Sequence, residues 1–182
     1  PRAGGWRGFF FDYWGCRHHP VGGPGGAPPG PTPIHPSWDR HDRLSVITAI
    51  TVSPERQRFG LHFRIHEHNI TFVEVMAFLT LVHQRLRRKC IVVLDRLNAH
   101  RKAVRLLQAA HPDWCEVLWL PAYAPELNPV ELAWNHTKYA DLANFIPEDV
   151  HHLHRAVTAS LTDMRTKGHL IRSFFKHAGL EL

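Results

Sequence analysis

Two stretches of the chain decide its fold: IVVLDRLNAH at residues 91–100 and LPAYAPELNPVELAW at residues 120–134. In the first, a continuous apolar run ends in Asp95. In the second, a proline-punctuated loop enters a helix at Pro129, because proline is tolerated at the first helical position. That helix carries Glu131, with thirty-five residues between it and Asp95. An acid after a buried strand and another in the first turn of a helix stand where a metal site can form.

Outward from these stretches, the hydrophobic pattern predicts an α/β fold. Apolar and alternating segments predict strands, and amphipathic segments predict helices between them. The predicted strands are residues 9–12, 43–52, 58–66, 91–94 and 116–120. The predicted helices are residues 71–88, 101–110, a helix from 129, 147–165 and 169–177. A hairpin followed by βαβ alternation predicts a mixed sheet flanked by helices.

The first long helix has both a start signal and an apolar face. Thr71 and Glu74 fit a capping box. The face predicted to be buried consists of Val73, Met76, Phe78, Leu79, Val82 and Leu86.

The charge balance favours an anionic partner. The chain has 182 residues, enough for one domain with a real core. Its 22 Lys and Arg outnumber its 16 Asp and Glu, so the net charge is +6, with 16 His in addition. A basic surface of this kind favours nucleic acid, and an inert solvated surface is the alternative. No apolar run approaches the ~20 residues of a membrane span, so we expect no membrane segment.

The three cysteines, Cys16, Cys90 and Cys115, are far apart in the sequence and form no CxxC pair. Their spacing supports neither a zinc ribbon nor a disulfide framework. They are predicted to be reduced thiols in a cytosolic protein. Two histidine-rich clusters, at residues 66–68 and 151–154, also lack a convincing framework of zinc ligands.

The N-terminal part differs from the rest of the chain. Residues 18–36 (HHPVGGPGGAPPGPTPIHP) are too rich in Gly and Pro for regular structure, which predicts a surface loop or a disordered arm. We therefore divide the chain into residues 1–42, the first strand plus this arm, and residues 43–182, the remainder of the domain. Because the chain begins at Pro1 and enters a strand almost at once, we expect a fragment that lacks its N-terminal part.

Three acids fall on three different elements. Asp12 follows the first predicted strand, Asp95 follows the fourth, and Glu131 lies on a late helix. Adjacent strands lie ~4.8 Å apart, so acids at strand ends can converge, and a helix on the same edge can supply the third. Converging carboxylates suit two Mg²⁺ or Mn²⁺ ions ~3.5–4 Å apart, an arrangement used in phosphodiester displacement.

Each candidate residue also has a purely structural explanation. Asp12 fits a turn, and Asp95 fits a turn or the cap of the next helix. Glu131 follows an Asn by three residues, a variant of the capping box. His100 fits a hydrogen-bonded core or surface histidine, and Asn98 fits a turn.

Basic side chains gather near two predicted helices and are candidates for contact with DNA backbone phosphates. For the first group, at the end of the helix 71–88, a favourable interaction with the helix dipole is the alternative. The two groups are Arg85, Arg87, Arg88 and Lys89, and Arg101, Lys102 and Arg105.

At its two motifs the chain resembles bacterial insertion-sequence transposases of the mariner-like DDE superfamily. The resemblance rests on LDRLNAH at residues 94–100 and on LPxYxPxLNPxExxW at residues 120–134, and it extends from about residue 43 to the C-terminus. It implies a ribonuclease-H-like fold. The string at residues 120–134 is long and specific.

The resemblance also implies which acids bind metal. By motif, Asp95 is the second acid and Glu131 the third, and the first is placed on Asp12. There the sequence DYWG at residues 12–15 departs from the family's DE followed by a small residue and Gly. With the acids assigned in this way, Asn98 and His100 are candidates to orient metal-bound water or phosphate.

The activity implied is that of a transposase catalytic domain, which cleaves DNA at transposon ends and joins the freed 3′-hydroxyl to target DNA. The implied partners are double-stranded DNA (terminal inverted repeats and target) and a second copy of the chain in a homodimer. The implied location is the bacterial cytoplasm, at the nucleoid. The alternatives are an inactive truncated remnant that only binds nucleic acid, and another ribonuclease-H-like nuclease, which fits the long motif less well.

Overall fold

The computed structural model of the chain describes residues 7–17, 43–87, 89–121, 124–143 and 145–180. The predicted Gly/Pro-rich arm at residues 18–36 lies outside these ranges. Arg88 also lies outside them.

Five strands form one mixed sheet in the order β3-β2-β1-β4-β5. Strand β2 is antiparallel to both of its neighbours, whereas β4 is parallel to both β1 and β5. The predicted mixed sheet is therefore confirmed. The strands are β1 (Arg7–Arg17), β2 (Arg43–Val52), β3 (Phe59–His66), β4 (Cys90–Leu94) and β5 (Glu116–Trp119).

Helices cover both faces of the sheet and enclose two hydrophobic cores. One core lies between the sheet and α1 and α2, and the other lies between the sheet and α3, α4 and α5. A 3-10 turn (Pro125–Leu127) precedes α3, and a π-helical turn (Thr137–Asp141) follows it. The helices are α1 (Phe72–Leu86), α2 (Asn98–Ala110), α3 (Pro129–His136), α4 (Val150–Thr166) and α5 (Gly168–His177).

Within the described ranges, no helix is long and apolar enough to cross a membrane.

The period-two alternation of β1 decides which face each side chain joins. Phe9 and Phe11 are fully buried in the core beneath α1 and α2. Phe10 packs against the opposite core, where its ring meets that of Phe175 edge-on at 5.2 Å. The same alternation places Asp12 on the face covered by α3, α4 and α5.

The prediction that Asp12 follows the first strand is wrong, because β1 continues to Arg17. Its ten-residue antiparallel ladder with β2 runs from Gly8 to Arg17 and carries the strand past the acid. On its other side, the parallel pairing of β1 with β4 stops at Phe10. Asp12 thus lies in mid-strand, but beyond the last residue that β4 pairs.

Helix α1 confirms its predicted start but not its whole predicted face. The Thr71 side chain accepts from the Val73 N–H, and the Glu74 carboxylate accepts from the Thr71 N–H at 2.7 Å. Val73 was expected inside but is 55% exposed. Val75 is fully buried instead, because it lies three and four residues before the buried Phe78 and Leu79.

Helix α2 begins at Asn98, three residues before its predicted start. Asn98 and His100 therefore belong to the first turn of a helix rather than to a loop. Asp95 is not the N-cap of this helix, because the N-cap position is Leu97, whose side chain makes no capping hydrogen bond.

We predict a pH-dependent loss of stability from His62 on β3. Burial, followed by the positive charges of Arg85 and Arg165, lowers the pKa of His62 from 6.5 to about 4. Between these values the unfolded chain binds a proton that the folded chain excludes, so the free energy of unfolding falls as the pH falls from 6.5 to about 4. Below that range this contribution stays constant.

Urea unfolding of the wild type and of His62→Gln across this range measures the effect. The glutamine variant should lose less stability between the two pH values. His169→Gln removes an exposed histidine and is the matched control. Parallel curves for the wild type and His62→Gln would contradict this explanation.

Candidate active site

Asp12 is a buried acid at the centre of the sheet, only 4% exposed. Its Oδ2 accepts a hydrogen bond from Nδ2 of Asn128 at 3.2 Å. An unpaired buried carboxylate is costly, so a donor at this position lowers the cost of burial. Asn128 lies 116 residues away in sequence and is itself buried.

Asp95 is positioned by the residues that follow it. Its Oδ1 accepts from the Leu97 backbone N–H at 3.1 Å and also contacts Nδ1 of His100. His100 is fully buried, and its ring meets that of Phe11 edge-on at 5.1 Å. Asp95 is therefore an Asx-turn residue fixed by a core histidine, and its side chain remains 36% exposed.

The pairing of β1 with β4 ends just before the two acids. Its last partners are Phe10 and Val93. Asp12 lies two residues beyond Phe10 in β1, and Asp95 lies two residues beyond Val93, directly after the end of β4. The side chain of Asp12 contacts Asn128 at the start of α3, whereas that of Asp95 contacts His100 of α2.

Glu131 lies in the first turn of α3, which packs on β1 and β2. Asn128 is the N-cap of α3 and its Oδ1 accepts from the Val130 N–H at 3.2 Å. Glu131 is the third residue of the helix and is half-buried. Across the described residues, its carboxylate accepts no hydrogen bond from the protein, so capping does not account for it.

Asn128 connects β1 with α3. Its Oδ1 caps the helix that carries Glu131, and its Nδ2 donates a hydrogen bond to Asp12. The sequence pattern showed the capping role but not the contact with Asp12, because the partner lies on the first strand. Asn128 is thus a site residue that sequence reasoning missed.

Thr48 is a second residue that the sequence did not single out. It is the antiparallel partner of Asp12 in β2 and is fully buried. In the part of the chain that the structure describes, its Oγ1 has no hydrogen-bond partner. In sequence it does not stand out, because Ser45 and Thr51 carry hydroxyls in the same strand.

The three carboxylates do not all lie within 4.8 Å of one another. Asp12, Asp95 and Glu131 therefore do not surround a single point. Two ions ~3.5–4 Å apart, each bound at ~2.1 Å, require only that the outermost ligand atoms lie within about 8 Å. As they stand, the three acids do not fit one ion bound by all of them.

The remaining predicted residues are spread over both ends of β4. Asn98 is exposed at the start of α2, near the acids. Arg101, Lys102 and Arg105 are exposed further along this helix, and Nζ of Lys102 lies 3.6 Å from the centre of the Phe72 ring. Arg85, Arg87 and Lys89 are exposed where β4 begins, at the opposite end of that strand from Asp95.

Comparison with known proteins identifies the family. The family model described as DDE superfamily endonuclease matches residues 7–153, most of the chain. The chain belongs to this family. This family agrees with the resemblance seen at the two motifs. Asp12, Asp95 and Glu131 all lie within the matched residues.

Solved transposase and integrase structures share this fold. The Mos1 strand transfer complex matches with a TM-score of 0.61 and 14% identity, over 94% of this chain and 51% of that chain. The Mos1 transposase paired-end complex with left transposon end gives 0.52 and 11%, over 93% and 56%. The simian T-cell lymphotropic virus intasome with PP2A regulatory subunit B56 gamma gives 0.50 and 10%, over 85% and 46%.

These matches confirm the ribonuclease-H-like fold of a transposase or integrase catalytic domain. The chain spans about half the length of the solved chains that it matches. A comparison with curated proteins finds no significant match.

We predict that Asn128 stabilises the DDE domain through both of its contacts. Asn128→Ala removes the helix cap and takes a donor from the buried Asp12, so the free energy of unfolding should fall by roughly 1–3 kcal/mol. Asn128→Ser keeps a capping oxygen but lacks the amide donor and should recover part of the loss. Urea unfolding in metal-free buffer measures both. An alanine variant as stable as the wild type would contradict this role.

Proposed function

We propose that this chain is the catalytic domain of a transposase that cleaves DNA strands at transposon ends and joins the 3′-hydroxyl to target DNA. The observation that supports it most is the link made by Asn128. Asn128 holds the acid on β1 and caps the helix turn that carries Glu131, and Asp95 follows β4, the parallel neighbour of β1.

The chemistry of the donor set fits hard divalent cations. Carboxylate oxygens are the ligands that Mg²⁺ and Mn²⁺ prefer. Oδ1 of Asp95 is used by Leu97 and His100, whereas within the described residues Oδ2 accepts no hydrogen bond. Asp12, Asp95 and Glu131 would hold two such ions. When bound, the ions activate the attacking oxygen and stabilise the leaving oxygen in phosphodiester displacement.

The protein's own part in the reaction is to hold these acids in place. His100 and the Leu97 N–H fix one oxygen of Asp95, and the other oxygen would bind an ion. Asn128 holds Asp12, and the α3 cap sets the position of Glu131. We assign His100 a positioning role through Asp95, rather than direct contact with phosphate. Asn98 is exposed, unlike His100, and could approach phosphate or water.

The proposed substrate is double-stranded DNA, both terminal inverted repeats and target. The net charge of +6 and the exposed Arg101 and Arg105 near the acid edge support this. The structural likeness to a Mos1 paired-end complex motivates the proposal that two copies of this chain act together as a homodimer. The motif at residues 120–134 further supports a bacterial insertion-sequence origin, with a site of action in the cytoplasm at the nucleoid.

We predict metal-dependent cleavage that depends on the three acids. Purified chain should cut duplex DNA carrying the terminal sequences of the element that encodes it, in Mg²⁺ or Mn²⁺ but not in EDTA. Asp12→Asn, Asp95→Asn and Glu131→Gln should each lower the cleavage rate by more than about 100-fold, because each removes a charged metal ligand of nearly unchanged shape.

Glu126→Gln is the matched control, because Glu126 is exposed in the 3-10 turn just before α3. Its rate should equal that of the wild type. Equal rates in the wild type and Asp95→Asn would refute the assignment of the acids. DNA binding without cleavage by the wild type would instead indicate the inactive remnant.

We predict that the basic residues of α2, rather than those at the end of α1, follow the DNA backbone. The slope of log K against log salt is negative, and each lost phosphate contact reduces its magnitude by about 0.9, so Arg101→Gln with Arg105→Gln should reduce the magnitude by about 1.8. Arg85→Gln with Arg87→Gln removes the same charge at the far end of β4 and should leave the slope nearly unchanged. DNA-binding titrations at several salt concentrations measure both, and the reverse result would move the DNA path to the end of α1.

A further inference from the structure

The end of the sheet opposite the acids contains a second cluster of potential metal ligands. His83 comes from α1, Cys90 is the first residue of β4, and Cys115 directly precedes β5. One ligand atom from each residue lies within 4.8 Å of the others. Cys90 lies about 16 Å along the strand from Asp95, by the usual rise per residue, so this cluster is separate from the candidate active site.

The sheet register explains why the two thiols meet. Ile91 pairs with Glu116 in the parallel ladder, so the residues before them, Cys90 and Cys115, stand opposite each other. Both are buried thiols without a disulfide. His83 is positioned by the last turns of α1 and packs against Trp114, with ring centres 6.0 Å apart.

The residue types match a thiophilic cation. Zn²⁺ takes Cys and His ligands in tetrahedral sites, where ligand atoms lie about 3.5–3.8 Å apart, so small side-chain rotations suffice. The two thiols are buried and the imidazole is half-buried, and binding of a cation would release the thiol protons.

A cavity of about 270 Å³ adjoins the two thiols and is large enough for water. Asp113 and Glu116 line it together with Lys89, so its ionised groups sum to a negative charge that favours a cation. Water from this cavity would fill the fourth position. Three protein ligands and one water complete a tetrahedral zinc coordination.

We propose that His83, Cys90 and Cys115 form a Zn²⁺ site that fastens the short strand β5 to β4 and α1. The three ligands come from three elements, so the ion would cross-link them. The alternative is a disulfide between Cys90 and Cys115, but a disulfide would give no role to the His83 imidazole beside them.

The test uses the reduced, metal-free full chain and Co²⁺ as a spectroscopic probe, followed by displacement with Zn²⁺. This probe is needed because the chain has 16 His, many of which could bind zinc weakly. Thiolate ligation gives a sulfur-to-cobalt charge-transfer band that histidines and carboxylates do not give. The wild type should show this band with one equivalent of Co²⁺ and lose it when Zn²⁺ is added.

Cys90→Ser and Cys115→Ser should each weaken the band and the affinity by more than the roughly 10–100-fold that loss of an outer-shell partner costs. His83→Gln should also weaken binding while keeping the band at higher Co²⁺. Cys16→Ser is the matched control, because Cys16 lies at the opposite end of β1 from the residue that pairs with Cys90, and it should bind as the wild type does.

Absence of the band in the reduced wild type would overturn the proposal, even if a cysteine variant failed to fold. Unchanged binding in His83→Gln would also overturn it. Equal rates of oxidation of the thiol pair with and without Zn²⁺ would show a disulfide-forming pair instead. None of these outcomes bears on DNA cleavage, which depends on the other end of the sheet.

Discussion

The register between β1 and β4 is the constraint on which the rest of the structure depends. Phe10 is paired with Val93, so Asp12 in β1 and Asp95 after β4 each come two residues beyond the last pair of these strands. A slip of one residue would turn Asp12 into the core beneath α1 and α2, where Phe9 and Phe11 now pack. The hydrophobic packing of the three consecutive phenylalanines therefore also fixes the position of the acid.

The site combines burial with a small number of directed contacts. Burying Asp12 in the centre of the sheet opposes folding, and the Asn128 amide offsets only part of that cost. A bound cation would offset more of it. Asp95 is also held by few contacts. The fully buried His100 contacts one of its oxygens, while the acid remains partly exposed. Asn128 and His100, which hold the two acids, would not contact the substrate.

Much of the fold followed from local pattern. Strand β2 was predicted with its observed bounds, because ten residues rich in β-branched and apolar side chains have few alternatives. The capping box at Thr71 marked the start of α1 for a similar local reason. Asp95 and Glu131 were found because each lies in a distinctive motif near the edge of an element.

What could not be predicted depends on contacts between distant parts of the chain. Residues 13–17 have no clear alternation, and only pairing with β2 extends β1 through them. The contact of Asn128 with Asp12 spans 116 residues. Cys90 and Cys115 looked unrelated, because only the register of two parallel strands joined by a helix brings them together. Sequence spacing alone carries no information of that kind.

The two ends of β4 thus differ in chemistry, because a carboxylate follows the strand whereas thiols and an imidazole lie at its start. We propose that Asp12, Asp95 and Glu131 bind metal as a group. Anomalous diffraction from a crystal of the wild-type chain grown or soaked with Mn²⁺ would locate the ions. We expect anomalous peaks bonded to carboxylate oxygens of Asp12, Asp95 and Glu131. Mn²⁺ found only at other side chains, with these three acids uncoordinated, would contradict it.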